Sequence, residues 1–226
     1  MKLRAFVKGL RDLLGQDLVG AYLHGSEVLG GGGPRSDVDL LAVTRRHLTE
    51  DERERLVELC RTVPRLEFDL VVASEIRPWR HPAPYELHFW AGRGEGLGPG
   101  TNTDLAAVIT MTLAGERTLH GPPPNQVFDP VPRSDYVDGI LYDADTRDVI
   151  MLARVWAGVS TDEVHSKLRA AEWALARLPD EHKPALEQAV AHYRGERDDA
   201  PQDVDAYISY VQNAIRTAST SSSPRR

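Results

Sequence analysis

The stretch AYLHGSEVLGGGGPRSDVDLLAV, residues 21–43, predicts both the fold and the chemistry of this chain. Asp37 and Asp39 stand two residues apart at the start of a predicted strand, so their side chains point to the same face. Their like charges repel each other, and a divalent cation offsets that repulsion. A solvated turn with an aspartate cap is the alternative. The apolar run after Asp39 places it on a core strand, where an unpaired carboxylate is costly, and we therefore predict a metal site.

A Gly-Ser turn precedes the two aspartates. Gly25 and Ser26 offer backbone N–H groups and a hydroxyl that suit phosphate oxygens, with Ser36 in support. The alternative is structural, a turn glycine followed by a helix N-cap serine. The glycines at 30–33 do not form a P-loop, because no Gly-Lys-Ser/Thr follows them, and we interpret them as a flexible flap. Carboxylates that bind a metal beside a phosphate cradle are what nucleotidyl transfer needs.

The composition indicates two globular domains and a small-molecule substrate. The chain has 226 residues, 41% of them hydrophobic, which is enough for two domain cores. Its net charge of −7 argues against nucleic acid as a partner and suits a cationic small molecule. Cys60 is the only cysteine and cannot form an internal disulfide, and no apolar run approaches the ~20 residues of a membrane span. We therefore predict a cytoplasmic protein without a membrane segment, and we expect a monomer.

The hydrophobic pattern changes from mixed to helical near the middle of the chain. Short apolar runs predict strands at 18–23, 37–44, 66–73 and 85–90, with amphipathic helices at 3–15 and 49–61. The glycine-rich stretch 91–100 is predicted to be a mobile loop. Helices are then predicted at 103–115, 134–141, 146–158, 161–178, 181–194 and 202–218. The prediction is an α+β fold with domains at 1–125 and 126–218 and a disordered tail at 219–226.

Several segments in the same order resemble one known family. The Gly-Ser…Asp-x-Asp arrangement is similar to that of the nucleotidyltransferase superfamily, which includes DNA polymerase beta. Further segments resemble the (3'')(9) aminoglycoside adenylyltransferases of the streptomycin and spectinomycin type. These segments are PWRHPAPYELHF at 78–89, DLAAVIT at 104–110, LHGP at 119–122, FDPVP at 128–132, LARVW at 152–156, SK at 166–167 and EWALARLP at 172–179.

The resemblance implies a polymerase-beta-like nucleotidyltransferase domain, with a mixed sheet and helices, followed by an α-helical bundle. It also implies an ATP- and Mg²⁺-dependent enzyme that adenylylates a hydroxyl of an aminoglycoside or aminocyclitol and so confers antibiotic resistance. In the resembled family the glutamate of the Glu-Leu-x-Phe segment is the general base that acts on the acceptor hydroxyl, which assigns this role to Glu86. Arg154 and Lys167 match positions that contact the triphosphate across the interdomain cleft.

Three further residues have roles that the resemblance leaves open. Asp69 is a candidate third metal ligand or second base, although the resembled enzymes usually have an uncharged residue there. Asp145 is the preferred acid for binding a cationic acceptor, with helix N-terminal charge as the alternative. Trp173 is a candidate for packing on a sugar ring, and a position in the core is the alternative.

Two other classes of function stay open at this point. One is a nucleotidyltransferase whose acceptor is another metabolite or a protein. The other is an antitoxin-like protein with the nucleotidyltransferase fold that acts by binding a partner. Such antitoxins are usually shorter and lack a long helical domain, so 226 residues argue against this class. A degenerate ATP-binding module is a weaker option, which the intact Asp37, Asp39 and Glu86 oppose.

Overall fold

The computed structural model describes residues 2–30, 32, 36–92, 95–161 and 163–221. Within them a mixed sheet and its covering helices occupy the first half of the chain, and a helical bundle occupies the second. The strands are β1 Leu18–Leu23, β2 Val38–Thr44, β3 Leu66–Val72, β4 Ala83–Tyr85, β5 Leu87–Trp90, β6 Glu95–Leu97, β7 Gly100–Asn102 and β8 Arg117–His120. The helices are α1 Lys2–Leu14, α2 Glu50–Arg61, α3 Ala73–Ile76, α4 Leu105–Gly115, α5 Pro124–Val127, α6 Arg133–Leu141, α7 Val149–Ser160, α8 Lys167–Leu175, α9 Lys183–Tyr193 and α10 Asp205–Ser221.

The main sheet has six strands in the order β6-β5-β3-β2-β1-β8, and β4 pairs with β7 in a separate two-stranded sheet. Strands β2 and β3 run parallel, whereas the other pairs in the main sheet are antiparallel. The parallel register sets Asp39 beside Glu67 and Leu41 beside Asp69. Because paired residues share a face, the carboxylates of β2 and β3 lie on one side of the sheet.

Helices cover both faces of the main sheet. On one face α1 and α2 bury a core that includes Phe6, Leu10, Leu56 and Phe68, and a capping box at Thr49 begins α2. On the other face α4 packs its Leu105 and neighbouring residues against apolar side chains of β1, β2 and β3. Strands buried on both faces require nearly continuous apolar sequence, which explains the runs seen in β2 and β3.

The helical half packs around α7, which contacts α6, α8, α9 and α10. Its core includes Leu152, Trp156, Leu186 and Val211 together with Ala107 and Met111 of α4. Helix α4 therefore belongs to the cores of both halves. Among the described residues no helix is both long enough and apolar enough to span a membrane.

The structure corrects several predicted elements. The predicted strand 85–90 is two strands, β4 and β5, broken at Glu86, and the predicted loop 91–100 contains β6 and the start of β7. The sequence pattern did not predict strand β8. Glu116 has a left-handed backbone (φ +50) that ends α4, and the chain turns there directly into β8. Helix α8 begins at its Ser166 cap rather than at 161. Helix α10 continues to Ser221, into the segment predicted as a tail, and residues 222–226 lie outside the described residues, as do Gly31 and Gly33 of the predicted flap.

Candidate active site

A cleft of about 990 Å³ opens between the two halves, at the end of the sheet where β2 begins. It brings together seven of the residues singled out from the sequence. They are Gly25, Ser26, Ser36, Asp37, Asp39, Arg154 and Lys167. The first five come from the loops and strands of the sheet, and the last two come from the helical bundle. A ligand in this cleft would therefore contact both halves.

The Gly-Ser turn and Asp39 fit together closely. Gly25 has φ +65, and a Cβ atom there would lie 1.9 Å from Oδ2 of Asp39. The backbone N–H of Ser26 donates to the Asp39 carboxylate. The backbone N–H of His24 donates to the backbone carbonyl of Asp39 at 3.1 Å. Only glycine accommodates both the backbone angle and the approach of the carboxylate. The turn thus fixes the position of Asp39.

Asp37 and Asp39 form a pair of carboxylates suited to a divalent cation. Burial and, to a smaller extent, the charge of Asp37 raise the pKa of Asp39 to about 6, against the opposing effect of Arg154 and Lys167. A cation beside the pair would stabilise the ionised form. Among the described residues there is no group of three or more His, Cys, Asp or Glu arranged for a metal. A magnesium ion held by Asp37 and Asp39 would take phosphate oxygens or water as its other ligands.

Asp69 does not join this pair. Its side chain is 3% exposed, and Oδ1 lies 2.8 Å from Nδ1 of His88, which raises the pKa of His88. On β3 Asp69 lies two residues beyond Glu67 and pairs with Leu41 of β2. The structure therefore does not support Asp69 as a third metal ligand. Its contact is with His88, which itself lines the cleft.

Glu86 lies away from the cleft, in an ion pair between the sheet and α2. Its side chain is 1% exposed, and Oε1 accepts from Arg53 Nη2 at 2.6 Å and from the Leu48 N–H at 3.1 Å. Its Oε2 lies 2.7 Å from Nδ1 of His47. Because both oxygens are engaged and neither lines the cleft, the general-base role predicted for Glu86 is corrected to a structural one.

Glu67, unlike Glu86, belongs to the cleft. It lines the cleft directly beside Asp39. Burial raises its pKa to about 8, and the charges of Asp39, Asp69 and Asp104 act in the same direction, whereas His88 lowers it. A raised pKa suits a group that takes up a proton near neutral pH. The sequence carried the signal for Glu67, since it alternates with Asp69 on β3, but only the pairing of β2 with β3 sets it beside Asp39.

The cations of the helical half face the carboxylates of the sheet. Arg154 projects from α7, and its Nη2 is 3.9 Å from Oδ2 of Asp143. Lys167 is the first residue of α8, and its ammonium lies 5.7 Å from the centre of the Tyr193 ring. The hydroxyl of Tyr193 is 2.8 Å from Oγ of Ser36, so this contact joins the two halves at the edge of the cleft.

Acidic side chains other than the predicted one line the helical wall. Asp104, Asp143 and Asp148 line the cleft, whereas Asp145 is exposed and lies outside it. Burial raises the pKa of Asp104 to about 7 and also raises that of Asp143. Asp148 additionally caps the start of α7. Asp145, predicted to bind the acceptor, therefore does not line the cleft, although it lies in the same turn as Asp143.

Trp173 belongs to the helical core. Its ring makes an edge contact with Trp156 at 5.1 Å between centres, and the Arg177 guanidinium stacks over it at 4.2 Å. It does not line the cleft. The alternative of a core position therefore replaces the predicted contact with a sugar ring.

A Gly-Ser turn beside two aspartates where β2 begins, on a mixed sheet closed by a helical bundle, defines a nucleotidyltransferase. Comparison with known proteins agrees: the model of the nucleotidyltransferase domain matches residues 3–88, and that of the aminoglycoside adenylyltransferase C-terminal domain matches residues 126–217. The chain is 34% identical to a spectinomycin 9-adenylyltransferase of Staphylococcus aureus over 94% of this chain and 93% of that protein. It is 31% identical to an aminoglycoside (3'')(9) adenylyltransferase of Escherichia coli over 88% of each. The chain belongs to the aminoglycoside adenylyltransferase family.

The fold has a close structural counterpart. The crystal structure of spectinomycin adenyltransferase AAD(9) from Enterococcus faecalis, solved with ATP and spectinomycin, matches with a TM-score of 0.87. The match covers 95% of this chain and 98% of that one at 23% identity, and it establishes the shared fold. The predicted family, fold class and enzyme class are confirmed.

Proposed function

We propose that this protein is an ATP- and Mg²⁺-dependent O-adenylyltransferase whose acceptor is an aminoglycoside or aminocyclitol of the spectinomycin or streptomycin type. The observation that carries the proposal is the pairing of Glu67 with Asp39 in a cleft bordered by Arg154 and Lys167. A base beside a metal-binding carboxylate, opposite cations for phosphates, is the arrangement that nucleotidyl transfer to a hydroxyl needs.

Each wall of the cleft has a part in this reaction. Gly25 and Ser26 offer the turn that cradles phosphate oxygens, and Arg154 and Lys167 neutralise their charge from the other side. Magnesium bound by the aspartate pair would supply the remaining positive charge and polarise the α-phosphate. Glu67 takes the proton of the acceptor hydroxyl while the hydroxyl oxygen attacks the α-phosphorus of ATP. The new O–P bond forms as the bond to the leaving pyrophosphate breaks.

The acidic wall favours a cationic acceptor. Asp104, Asp143 and Asp148 face the same cleft from α4 and from the segment before α7. Their charges attract ammonium groups and repel the phosphate backbone of nucleic acids. Transfer of AMP adds negative charge to the drug, which opposes its binding to ribosomal RNA and would produce resistance. We expect the enzyme to act in the cytoplasm as a monomer.

The test is pyrophosphate release from MgATP with a panel that includes spectinomycin and streptomycin, with mass spectrometry of the products. Wild type should yield a drug carrying one AMP group. Glu67→Gln should lose turnover by at least ~100-fold while it still binds ATP. Glu86→Gln is the matched control, because the same change outside the cleft should leave turnover per folded molecule within about threefold.

Two outcomes would contradict the proposal. If no drug is modified although ATP binds, the acceptor is another metabolite or a protein. If Glu67→Gln keeps the rate of wild type while Glu86→Gln loses it, the base is Glu86. The side chain of Glu86 must then leave its contact with Arg53 and enter the cleft during the reaction.

A further inference from the structure

Three large apolar side chains are exposed at the cleft. Within the part of the chain that the structure describes, Trp90, Leu97 and Tyr142 are the only large hydrophobic residues with high exposure, at 43%, 46% and 71%. All three line the active-site cleft. Trp90 and Leu97 stand on β5 and β6 of the sheet, and Tyr142 follows α6 of the helical half. Exposed apolar surface concentrated at one opening marks a ligand contact.

The sheet order fixes where this surface lies relative to the reacting groups. Trp90 pairs with Glu67 across β5 and β3, and Glu67 pairs with Asp39 across β3 and β2. Beyond Asp39 lies β1, which leads into the turn of Gly25. Adjacent strands are ~4.8 Å apart, so the phosphate turn, the metal carboxylate, the base and Trp90 follow one another in a row.

This row separates the two substrates. The nucleotide phosphates belong at the Gly25 end, between the aspartate pair and the cations of α7 and α8. An acceptor with its hydroxyl at Glu67 must extend toward the opposite end, where Trp90 stands. In-line attack sets the acceptor oxygen opposite the leaving pyrophosphate, whereas the ribose of ATP leaves the α-phosphorus sideways to that line. The indole also rests over Gly92, where a Cβ atom would lie 2.8 Å from it, so the local backbone is shaped to admit the ring.

We propose that Trp90, Leu97 and Tyr142 form an apolar acceptor subsite, which rests on the proposed function. Trp90 and Leu97 take the C–H face of the acceptor ring, and an alkylammonium group of the acceptor lies over the Trp90 or Tyr142 ring. Asp104 and Asp143 supply the counter-charge from the same cleft. The subsite therefore selects compact amino-substituted rings with a C–H-rich face over acceptors that are hydroxylated all round.

Steady-state kinetics with MgATP and spectinomycin test the subsite. Trp90→Ala should raise the acceptor KM by ~10-fold or more, with the ATP KM within about twofold of wild type. Trp90→Phe, which keeps an aromatic face, should restore most of the acceptor KM. Tyr142→Ala should act in the same direction from the other wall. An unchanged acceptor KM in both alanine variants, or an equal rise in the ATP KM, would overturn the subsite.

A binding measurement keeps the proposal testable without turnover. Trp90 is the most exposed of the four tryptophans, so spectinomycin should change the fluorescence of wild type, and this change should be lost in Trp90→Phe. If wild type transfers no AMP but this difference persists, the proposed function fails and the subsite stands. If wild type transfers AMP to the drug and Trp90→Phe shows the full fluorescence change, the subsite fails and the proposed function stands.

Discussion

Replacing Gly25 by alanine should remove activity far more than stability. The φ of +65 makes any L-residue there unfavourable by roughly 1–2 kcal/mol. The new Cβ would also lie 1.9 Å from Oδ2 of Asp39. Because Cβ atoms in proteins do not approach other heavy atoms closer than 3.0 Å, the carboxylate or the turn must move by about 1 Å. A shift of that size in a metal-binding group costs ~100-fold in kcat/KM.

Gly15→Ala is the matched control for this variant. Gly15 has φ +55, and a Cβ atom there would have nothing within 4 Å, so the substitution carries the backbone cost without the clash. Urea unfolding should give Gly15→Ala a loss of ~1–2 kcal/mol, and Gly25→Ala should lose at least as much because the clash adds to the backbone cost. Pyrophosphate release over a magnesium titration should show the loss of activity in Gly25→Ala alone. Equal kcat/KM for the two variants would refute the claim that the turn fixes Asp39.

Two further predictions concern the glutamates. Glu67 has a folded pKa of about 8 against a usual value of 4.5, so its favourable contribution is complete below pH 4.5 and is lost as the pH rises through 8. Relative to Glu67→Gln, magnesium-free wild type should lose up to about 2 kcal/mol of unfolding free energy between pH 6 and 8; a pH-independent difference would contradict this. Glu86→Ala should cost about 3 kcal/mol in urea unfolding, because it removes the buried carboxylate from Arg53, whose side chain is only 17% exposed, and leaves Glu50 at 3.7 Å as the remaining acidic partner. A loss no larger than that of a surface substitution would count against the buried ion pair.

The comparison of sequence with structure shows what each kind of pattern can determine. Asp37, Asp39 and Gly25 act through neighbours close in sequence, so spacing and turn chemistry were sufficient to bring them to one site. Arg154 and Lys167 were reached through the family resemblance, and the structure brings them to the same cleft.

The base could not be assigned from local pattern. Glu67 and Glu86 both stand beside apolar strands, and what distinguishes them is the pairing of β2 with β3 and the reach of Arg53 from α2. Both are contacts between elements distant in sequence. The structure differs at Asp145 for another reason: Asp143 and Asp148 of the same acidic segment line the cleft, and spacing within an irregular turn does not determine which side chain faces it. The division predicted between residues 125 and 126 stays a prediction.

The position of α4 affects how the whole chain unfolds. Its Leu105 and Ile109 pack on the sheet, while Ala107 and Met111 pack in the helical core. The same helix therefore contributes side chains to both hydrophobic cores. Loss of either core exposes apolar surface of the other, which couples the two free energies. The chain should therefore melt in a single cooperative transition, and neither half alone should be an autonomous folding unit. An enzyme whose cleft needs both halves is thereby protected from populating a state in which only one of them is folded.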